Sequence, residues 1–421
     1  MPLAHCSPPS THQLTRESAF NYPFQLTFGP LIGAIAAGCT AVVKPSEMTP
    51  ESARVTASII SRLDPTCYAT VLGAVEETTK LLELKWDKIC YTGNSAVARI
   101  VAAAAAKHLT PTLLELGGLN PVIITSNADA KLAARRTVWT KIHNCGQICI
   151  AADYALVHPS AEAAFVEGYK ASVAEFLPNG TYDPKNYGHI VNRRHFDRIT
   201  GLLARSAGET VLGGQSDGEK LWIEPTLVRV DSPQDALLSE EIFGPILPYL
   251  LVDTTTEMCS LVAQIGDTPL AVYAFSNDKA EQEQILTTTR SGGATINDAM
   301  FHAVIQTVPF GGVGESGSGF YRGKHSFHAF THRRSLANQP GWTESQLRVR
   351  YPPYSDALLN KFKRTSGLGS ANFDREGKVY KVPVWKRLAF LGAAGVKGGL
   401  LRYILTLLSA WALSGFLKAS K

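Results

Sequence analysis

Short runs of β-branched residues alternate with longer helical patterns from about residue 20 to residue 150. The run "TAVVKP" (40–45) predicts a strand, and "TPESARVTASIISRL" (49–63) predicts a helix with Thr49 as N-cap and Pro50 at the first helical position. Apolar strands that are separated by helices predict a parallel sheet covered on both faces. The fold class is therefore α/β.

The alternation predicts more than one such sheet. "YATVLG", "KICYTG", "TLLEL" and "PVIIT" extend the first series of strands, and residues 94–109 form an alanine-rich helical pattern. A second series has a strand in "ADYALVH", a helix over about 160–176, and strands near "PTLVRV" and "ILPYLLV". Because a chain of 421 residues is long enough for two cores, we expect two parallel-sheet domains of the Rossmann type.

Cysteine usage and the N-terminal composition indicate a compartment. The chain has 7 cysteines, an odd number, scattered mostly in apolar contexts, which indicates a reducing environment. Residues 1–18 contain no apolar stretch typical of a secretory signal. We therefore expect an intracellular protein that is cytoplasmic or faces the cytosol from a membrane.

The C-terminal region differs from the rest in charge and hydropathy. Residues 331–421 carry 16 Lys and Arg against 4 Asp and Glu, whereas the preceding residues carry 25 against 32. From residue 388 to 417 the only charged residues are Lys397 and Arg402. This composition favours attachment to an anionic membrane surface. A solvated extension and an apolar helix packed at a subunit interface are the alternatives.

The segment "NCGQIC" (144–149) raises the question of thiol chemistry. A thiol is only slightly ionised at neutral pH, so a reactive Cys149 would need hydrogen-bond donors and a nearby base. Glu115, at the end of the apolar strand "LELGG", is either paired structurally or held for proton transfer. Cys145 and Cys149 could instead bind zinc, but His143 and His158 do not complete a standard pattern, so we expect no metal.

Two strand ends lie where α/β proteins bind ligands. In "YTGNSAVA" (91–98) a turn containing Gly93 joins a strand to a helix, where a helix N-terminus can receive phosphate. On spacing alone, an ordinary strand-to-helix turn is the better interpretation. "VVKPSE" places Lys44 and Glu47 just beyond a strand end, where ligands bind in open α/β sheets, although a surface ion pair would look the same.

Taken in order, these segments resemble the aldehyde dehydrogenase superfamily, and most closely its class 3 and fatty-aldehyde branch. The similarity runs from about Phe20 to Arg350. It rests on seven motifs: "NYPFQLTFGPLIGAIAAGCTAVVKPSE", "YTGNSAVA", "HLTPTLLELGGLNP", "NCGQICIAADY", "EEIFGPILP", "TINDAMFH" and "PFGGVGESGSGFYRGKHSFHAFTHRRS".

The resemblance implies NAD(P)-dependent oxidation of an aldehyde to the carboxylic acid through a thiohemiacetal and a thioester on cysteine. Cys149 would be the nucleophile and Glu115 the general base, while Cys145 would be a packed thiol. Asn21 and the backbone N–H of Cys149 would form the oxyanion hole.

The resemblance also implies the cofactor-binding residues. Lys44 and Glu47 would hold the adenosine ribose, and Glu241 and Phe243 the nicotinamide ribose and ring. The segment beside the pyrophosphate would consist of Gly93, Asn94, Ser95, Ala96, Val97 and Ala98. Glu47 should favour NAD by repelling a 2′-phosphate, but members of the branch often accept both cofactors, so NADP remains possible.

By the same resemblance, residues 21–116 would form an incomplete dinucleotide-binding domain and 117–318 the catalytic domain. Residues 319–360 would return to close onto both, and 361–421 would be a basic linker with an apolar membrane-type tail. Residues 1–20 would be an unrelated flexible arm in place of the family's N-terminal stretch, which contains the first strand of the cofactor sheet. We therefore expect that sheet to lack a strand and to expose an unpaired edge.

The expected substrate is a medium- or long-chain aliphatic aldehyde, because the tail resembles the anchor of fatty aldehyde dehydrogenases. The other expected partners are a membrane surface and a second copy in a homodimer, with no nucleic acid. The main alternative is a catalytically inactive, N-terminally truncated relative attached to a membrane. An upstream exon missing from the gene model would also explain the short N-terminal region. A cofactor-free thiol esterase is less favoured, because it would leave the cofactor motifs unexplained.

Overall fold

The computed structural model of the chain describes residues 13–17 and 19–365. Its contacts divide the chain after His332 into two compact units. The first unit contains two large sheets, both mainly parallel and both flanked by helices. The α/β architecture expected from the alternating pattern is confirmed.

The first sheet has six strands. They are β1 (Gln13–Glu17), β2 (Thr40–Lys44), β3 (Tyr68–Thr70), β4 (Lys88–Thr92), β5 (Thr112–Glu115) and β15 (Gly317–Ser318). Their order is β15-β5-β4-β1-β2-β3, and β15 alone runs antiparallel to its neighbour. The helices between them are α1 (Pro23–Ala36), α2 (Pro50–Ile60), α3 (Val75–Glu83) and α4 (Ser95–Ala106). Helix α2 begins at Pro50 as predicted, although the Thr49 side chain makes no capping hydrogen bond.

Residues 13–17 lie inside this sheet, so the expectation of a flexible arm and an unpaired edge is wrong for them. Strand β1 pairs in parallel with β2 on one side, Gln13 opposite Thr40, and with β4 on the other, Leu14 opposite Lys88. Strands β2 and β4 would otherwise leave backbone N–H and C=O groups unpaired across a gap, and a strand in that gap satisfies them. The sequence of this strand is short and mostly polar, so it carried no strand signal.

The second sheet has seven strands. They are β6 (Pro121–Ile124), β7 (Tyr154–Val157), β8 (Glu209–Leu212), β11 (Thr226–Arg229), β12 (Ile246–Leu251), β13 (Ala271–Phe275) and β14 (Gly293–Ile296). Their order is β14-β13-β6-β7-β12-β11-β8, and only β8 is antiparallel. Strands β6, β7 and β13 are buried along their whole length. The "PVIIT" strand, which we predicted to continue the first series, therefore belongs to the second sheet.

The remaining elements of the first unit flank these sheets. A small hairpin joins β9 (Ser216–Asp217) to β10 (Trp222–Ile223) in antiparallel pairing. The helices of this part are α5 (Ala130–Ile142), α6 (Pro159–Phe176), α7 (Arg193–Arg205), α8 (Thr255–Gly266) and α9 (Lys279–Thr288). After β15 the chain forms α10 (Lys324–Ala329), which packs on α1 so closely that a Cβ at Gly33 would collide with Ser326.

The second unit, from Arg333, contains α11 (Glu344–Leu347) and α12 (Asp356–Thr365). Within residues 13–17 and 19–365, no helix has the length and apolar character needed to cross a membrane. The apolar tail predicted from the sequence, including residues 388–417, lies outside the described residues.

Candidate active site

Glu115 is the last residue of β5, at the carboxyl edge of the first sheet. Its strand pairs with β4 on one side, where Thr92 lies opposite Glu115, and with β15 on the other, where Gly317 does. The Gly93 N–H donates to the Glu115 carbonyl at 3.1 Å. The side chain is 1% exposed. Backbone pairing on both sides thus fixes a buried carboxyl group where ligands of parallel sheets bind.

Cys149 lies on the segment between α5 and β7, in a tightly curved part of the chain. Asn144, Cys145 and Gly146 have φ angles of 50°, 53° and 70°. A Cβ at Gly146 would collide with the Gly244 carbonyl, so glycine is required there. The Gln147 side chain donates to the Asn144 and His189 carbonyls, both at 3.1 Å, and thereby fixes the turn.

The backbone of Cys149 is held by Asn120. The Asn120 Nδ2 donates to the carbonyls of Cys149 at 2.8 Å and Ala151 at 3.0 Å, and its Oδ1 accepts from the Ala271 N–H at 2.8 Å. Asn120 is fully buried. One amide therefore ties the cysteine segment to β13 of the second sheet.

The structure brings Cys149 and Glu115 together. The Cys149 thiol is partly buried and lies close enough to the Glu115 carboxyl group for that group to influence its pKa. Burial first, and then the charges of Glu115 and Glu241, raise the pKa of Cys149 well above its ordinary value. Burial therefore favours the protonated thiol, which lies beside a carboxyl group that can accept its proton.

The second cysteine of the motif behaves differently. Cys145 is 2% exposed, and burial raises the pKa of its thiol to about 12. It packs in the core of the second sheet among residues such as Ile123 and Tyr187. This environment agrees with the packed thiol expected at Cys145.

Asn21 lies beside the cysteine segment, just before α1. Its Nδ2 donates to the Gln147 carbonyl at 3.1 Å, and its own carbonyl accepts from the Asn144 Nδ2 at 3.3 Å. A carboxamide NH₂ has two N–H groups, so one such bond leaves a second donor. The neighbouring Tyr22 hydroxyl also faces Cys149, and burial, together with that thiol, raises its pKa to about 12.

A cavity of about 710 Å³ opens at Cys149. Aromatic and aliphatic side chains form most of its wall, including Leu26, Ile32, Trp139, Val304, Phe310 and Phe327. Several of them are also exposed: Ile32 by 65% and Val304 by 59%. The cavity therefore suits an apolar molecule whose reactive end reaches the sulfur.

Lys44 and Glu47 lie at the same carboxyl edge as Glu115. The Lys44 Nζ contacts the Glu47 Oε2 at 2.8 Å, with the Lys44 side chain 7% exposed and that of Glu47 48%. Burial would raise the pKa of Glu47, but the hydrogen bond from Lys44, with the charges of Lys44 and Arg194, holds that pKa below its usual value. The ion pair is thus present, and its exposed carboxylate is accessible to a ligand.

The predicted phosphate segment forms the start of α4. The Asn94 side chain caps the helix by accepting from the Val97 N–H at 2.9 Å. Ala98 is 2% exposed, which allows the helix to pack closely on the sheet. The Ser95 hydroxyl lies 3.4 Å from the Glu315 carbonyl. Gly93 to Ala98 therefore form a strand-to-helix turn, which is compatible both with a phosphate-binding site and with an ordinary connection.

Glu241 and Phe243 precede β12 on the side of the second sheet. Burial, the charge of Asp153 and other nearby acids raise the pKa of Glu241 well above its ordinary value, and its carboxyl group lies against Gly117. Phe243 has a φ of 49°, and its ring meets that of Phe20 edge-on at 5.8 Å.

A dinucleotide fits these residues. The Glu241 Oε1 is buried, and no described residue forms a hydrogen bond with it. A buried oxygen of this kind is costly unless a ligand donates to it, and a ribose hydroxyl is such a donor. Glycine at position 117 provides the space beside it.

Sequence reasoning missed two polar groups that support the site. Asn120 was quoted within a motif but not singled out, and Asp153 accepts from the Asn120 and Ile242 N–H groups at 3.3 Å and 3.1 Å. Burial raises the pKa of Asp153 to about 6, and burial lowers that of the enclosed Lys141 to about 8. Asn120 and Asp153 could have been found as polar residues inside the apolar motifs "GGLNP" and "AADY", because such a residue indicates a buried hydrogen-bond network.

A thiol and a carboxyl group lie close together between two parallel sheets, one of which ends in residues that suit a dinucleotide, and this combination indicates an NAD(P)-dependent oxidoreductase. A family model for the aldehyde dehydrogenases matches residues 18–336. The chain belongs to the aldehyde dehydrogenase family, and the resemblance seen in its motifs is confirmed. It is accordingly an NAD(P)-dependent enzyme that oxidises aldehydes.

Two relatives illustrate the range of the family. Beta-apo-4′-carotenal oxygenase of Neurospora crassa is 46% identical over 406 residues, which cover 96% of this chain and 76% of the relative. Aldehyde dehydrogenase family 3 member A2 of Rattus norvegicus is 43% identical over 343 residues, 81% of this chain and 70% of the relative.

Solved structures share the fold. The substrate-bound state of Staphylococcus aureus AldH superposes with a TM-score of 0.77 at 39% identity, covering 85% of this chain and 77% of that one. Mycobacterium tuberculosis aldehyde dehydrogenase in complex with NAD⁺ has a TM-score of 0.71 at 27% identity, with coverages of 78% and 69%.

Proposed function

We propose that this chain oxidises an apolar aldehyde to the carboxylic acid on Cys149, with NAD or NADP as the electron acceptor. The observation that carries the proposal is the Cys149 thiol close to the Glu115 carboxyl group, in the wall of an apolar cavity. A thiol needs a base to become a nucleophile, and an acyl-enzyme needs a base to activate water. One carboxyl group at Cys149 can perform both tasks.

Glu115 would accept the thiol proton as the sulfur attacks the aldehyde carbon. Burial favours this transfer to a neighbouring group over release of the proton to water. That proton would pass to solvent before the second half of the reaction. The same carboxylate would then take a proton from the water that attacks the thioester carbon, the C–S bond would break, the acid would leave, and the Cys149 sulfur would regain a proton. The bound nicotinamide supplies the hydride acceptor for the oxidation.

Asn21 would stabilise the oxyanion that forms during the attack. Its side chain is fixed by the 3.1 Å hydrogen bond to the Gln147 carbonyl, and the second N–H of its amide can donate to the substrate oxygen. The backbone N–H of Cys149 would be the second donor. Removing one donor of this kind typically costs a factor of about 10² to 10³ in turnover.

Glu241 and Phe243 would hold the nicotinamide ribose and ring, and Lys44 and Glu47 the adenosine ribose. The start of α4, from Gly93 to Ala98, would face the pyrophosphate. The exposed Glu47 carboxylate disfavours a 2′-phosphate, so we propose that NAD is the preferred cofactor and that NADP is also used.

The cavity supports an apolar substrate, and two classes of aldehyde fit it. A medium- or long-chain aliphatic aldehyde would gain about 0.8 kcal/mol for each buried methylene, which is about fourfold in kcat/KM. An apocarotenal, the substrate class in the name of the Neurospora crassa relative, would use the aromatic side chains of Trp139, Phe310 and Phe327. The 46% identity of that relative favours this second candidate.

The test measures NADH formation by the purified chain with propanal, hexanal, decanal and a long-chain apocarotenal. We expect kcat/KM to rise steeply from propanal to decanal. The Cys149→Ser variant should be inactive, and Cys145→Ser, the matched control, should keep its activity. Glu115→Gln should slow both the release of the first equivalent of NADH and the later turnover, because attack by the thiol and hydrolysis of the thioester both need the base.

A Cys149→Ser variant that keeps full turnover would exclude this mechanism. A kcat/KM that does not depend on chain length would exclude the apolar substrate and leave the chemistry intact. Preference for decanal over the apocarotenal, or the reverse, decides between the two aldehyde classes.

We further propose, from composition alone, that the protein is held at the cytosolic face of a membrane through residues 361–421. Deleting residues 386–421 should move it from the membrane pellet to the supernatant, and unchanged sedimentation would contradict the proposal.

A homodimer is also proposed, because a rat relative 43% identical to this chain is named a dimeric aldehyde dehydrogenase. Its measurement is the molar mass in solution by light scattering.

A further inference from the structure

Arg322 lines the same cavity as Cys149, and nothing in the proposed mechanism uses it. It lies in the turn between β15 and α10. Among the described residues in the cavity wall, it is the only lysine or arginine. A fixed positive charge in an apolar wall needs a reason, because desolvating a guanidinium group is costly.

The backbone of Arg322 is strained, and its side chain is fixed by several contacts. The φ angle of Arg322 is 97°, in a region that non-glycine residues rarely adopt, and such strain concentrates at functional sites. Its backbone N–H donates to the Ser326 Oγ at 2.8 Å. The guanidinium group lies 4.5 Å from the centre of the Phe310 ring and donates to the His302 carbonyl at 3.3 Å. These contacts fix the charge in place.

Within the described residues, no carboxylate forms an ion pair with Arg322. Burial lowers the pKa of the guanidinium group, whereas the charges that Tyr321, Cys149 and Glu115 can develop raise it. The groups that can balance the positive charge thus include the thiol and the carboxyl group of the site.

We propose that Arg322 is a positioning residue whose fixed positive charge favours the thiolate form of Cys149 during attack on the aldehyde. This inference rests on the proposed role of Cys149 as nucleophile. Arg322 acts across the cavity on the electrical potential at the sulfur and takes no proton itself.

The other titratable groups around Cys149 do not supply this charge. Those that face its sulfur from the neighbouring elements become anionic when they ionise: Glu115 on β5, Glu241 before β12, Tyr22 before α1 and Tyr273 on β13. His143 also lines the cavity, but burial lowers its pKa, which favours the neutral ring. Arg322 is thus the cation that can offset burial of the thiolate.

The experiment follows alkylation of Cys149 by iodoacetamide in the full chain without cofactor, as a function of pH, by mass spectrometry of the modified peptide. Removing the charge in Arg322→Gln should raise the apparent pKa of alkylation by about one unit and slow the reaction about tenfold at neutral pH. Arg322→Lys should restore most of the rate, because the charge remains. Arg193→Gln, which removes an exposed arginine, is the matched control and should not differ from the wild type.

Arg322→Gly guards against failure to fold, because glycine adopts the φ angle of this position without strain. It should melt at or above the wild-type temperature and still show the slow alkylation. A pH profile that is unchanged in both neutral variants, or a lysine variant as slow as the glutamine variant, would overturn the inference. Alkylation measures the ionisation of the Cys149 sulfur without turnover. The role of Arg322 can therefore be refuted while loss of activity in Cys149→Ser still supports Cys149 as the nucleophile. Equally, Arg322 can prove to affect the sulfur even if Cys149→Ser keeps its activity.

Discussion

The two large sheets differ in what specifies them. Strands β6, β7 and β13 of the seven-stranded sheet are buried along their whole length, so side-chain packing on both faces determines their position. In the six-stranded sheet, β2 and β3 are partly exposed, and β1 is placed by backbone pairing with two neighbours. The sheet that carries Cys149 is thus held by its interior, whereas the sheet that carries Glu115 depends more on main-chain pairing.

The largest difference in stability between the two sheets is expected when an asparagine is replaced by alanine. Asn120→Ala removes three hydrogen bonds in the seven-stranded sheet and leaves buried backbone groups unpaired, which should lower the free energy of unfolding by about 3 to 4 kcal/mol. Asn94→Ala, at the first turn of α4, removes one cap and should cost about 1 kcal/mol. Urea denaturation measures both, and equal losses would contradict the difference between the sheets.

The same aliphatic truncation should also separate the sheets. Val122 on β6 is fully buried, so Val122→Ala should cost about 2.5 kcal/mol by leaving a cavity. Val42 on β2 is partly exposed, and Val42→Ala should cost about 1 kcal/mol. Thermal melting with calorimetry checks the pair, and the comparison fails if Val42→Ala is the more destabilising change.

A smaller effect concerns acid sensitivity at the edge of the seven-stranded sheet. Burial, and then the charge of Arg322, lower the pKa of His302 to about 4. The unfolded chain binds a proton there at higher pH than the folded chain, so stability is lost as pH falls from about 6.5 towards 4. Partial exposure reduces the contribution to about 1 kcal/mol. His302→Asn should flatten the dependence of melting temperature on pH across this window, and an unchanged slope would contradict the assignment.

The smallest effect is expected at the exposed edge of the six-stranded sheet. Glu47→Gln removes the negative charge expected near the ribose 2′-position and should lower KM for NADP about threefold, with little change for NAD. Steady-state kinetics with both cofactors provide the measurement. A variant whose preference between the cofactors is unchanged would remove Glu47 from the ribose site.

Much of the fold could be predicted from local patterns. Strands β2, β4 and β7 and helices α2, α4 and α6 follow from hydrophobic periodicity and from residues at the helix starts. The proximity of Cys149 and Glu115 could be predicted only from the family resemblance, because their separation along the chain does not imply contact.

What could not be predicted depends on long-range contacts. Strand β1 has no apolar periodicity, and its position is known only from its pairing with β2 and β4. "PVIIT" looks the same in either sheet until its pairing with β7 and β13 is known. Arg322 is one of many arginines in the sequence, and only the return of the chain after β15 brings it to the cavity.

Glu115 and Cys149 come from different sheets, and this has a consequence for the newly made protein. A chain in which only one sheet has formed has either the sulfur or its proton acceptor, but not the two in register. Catalysis, which needs both groups in register, should therefore arise only when both sheets have formed.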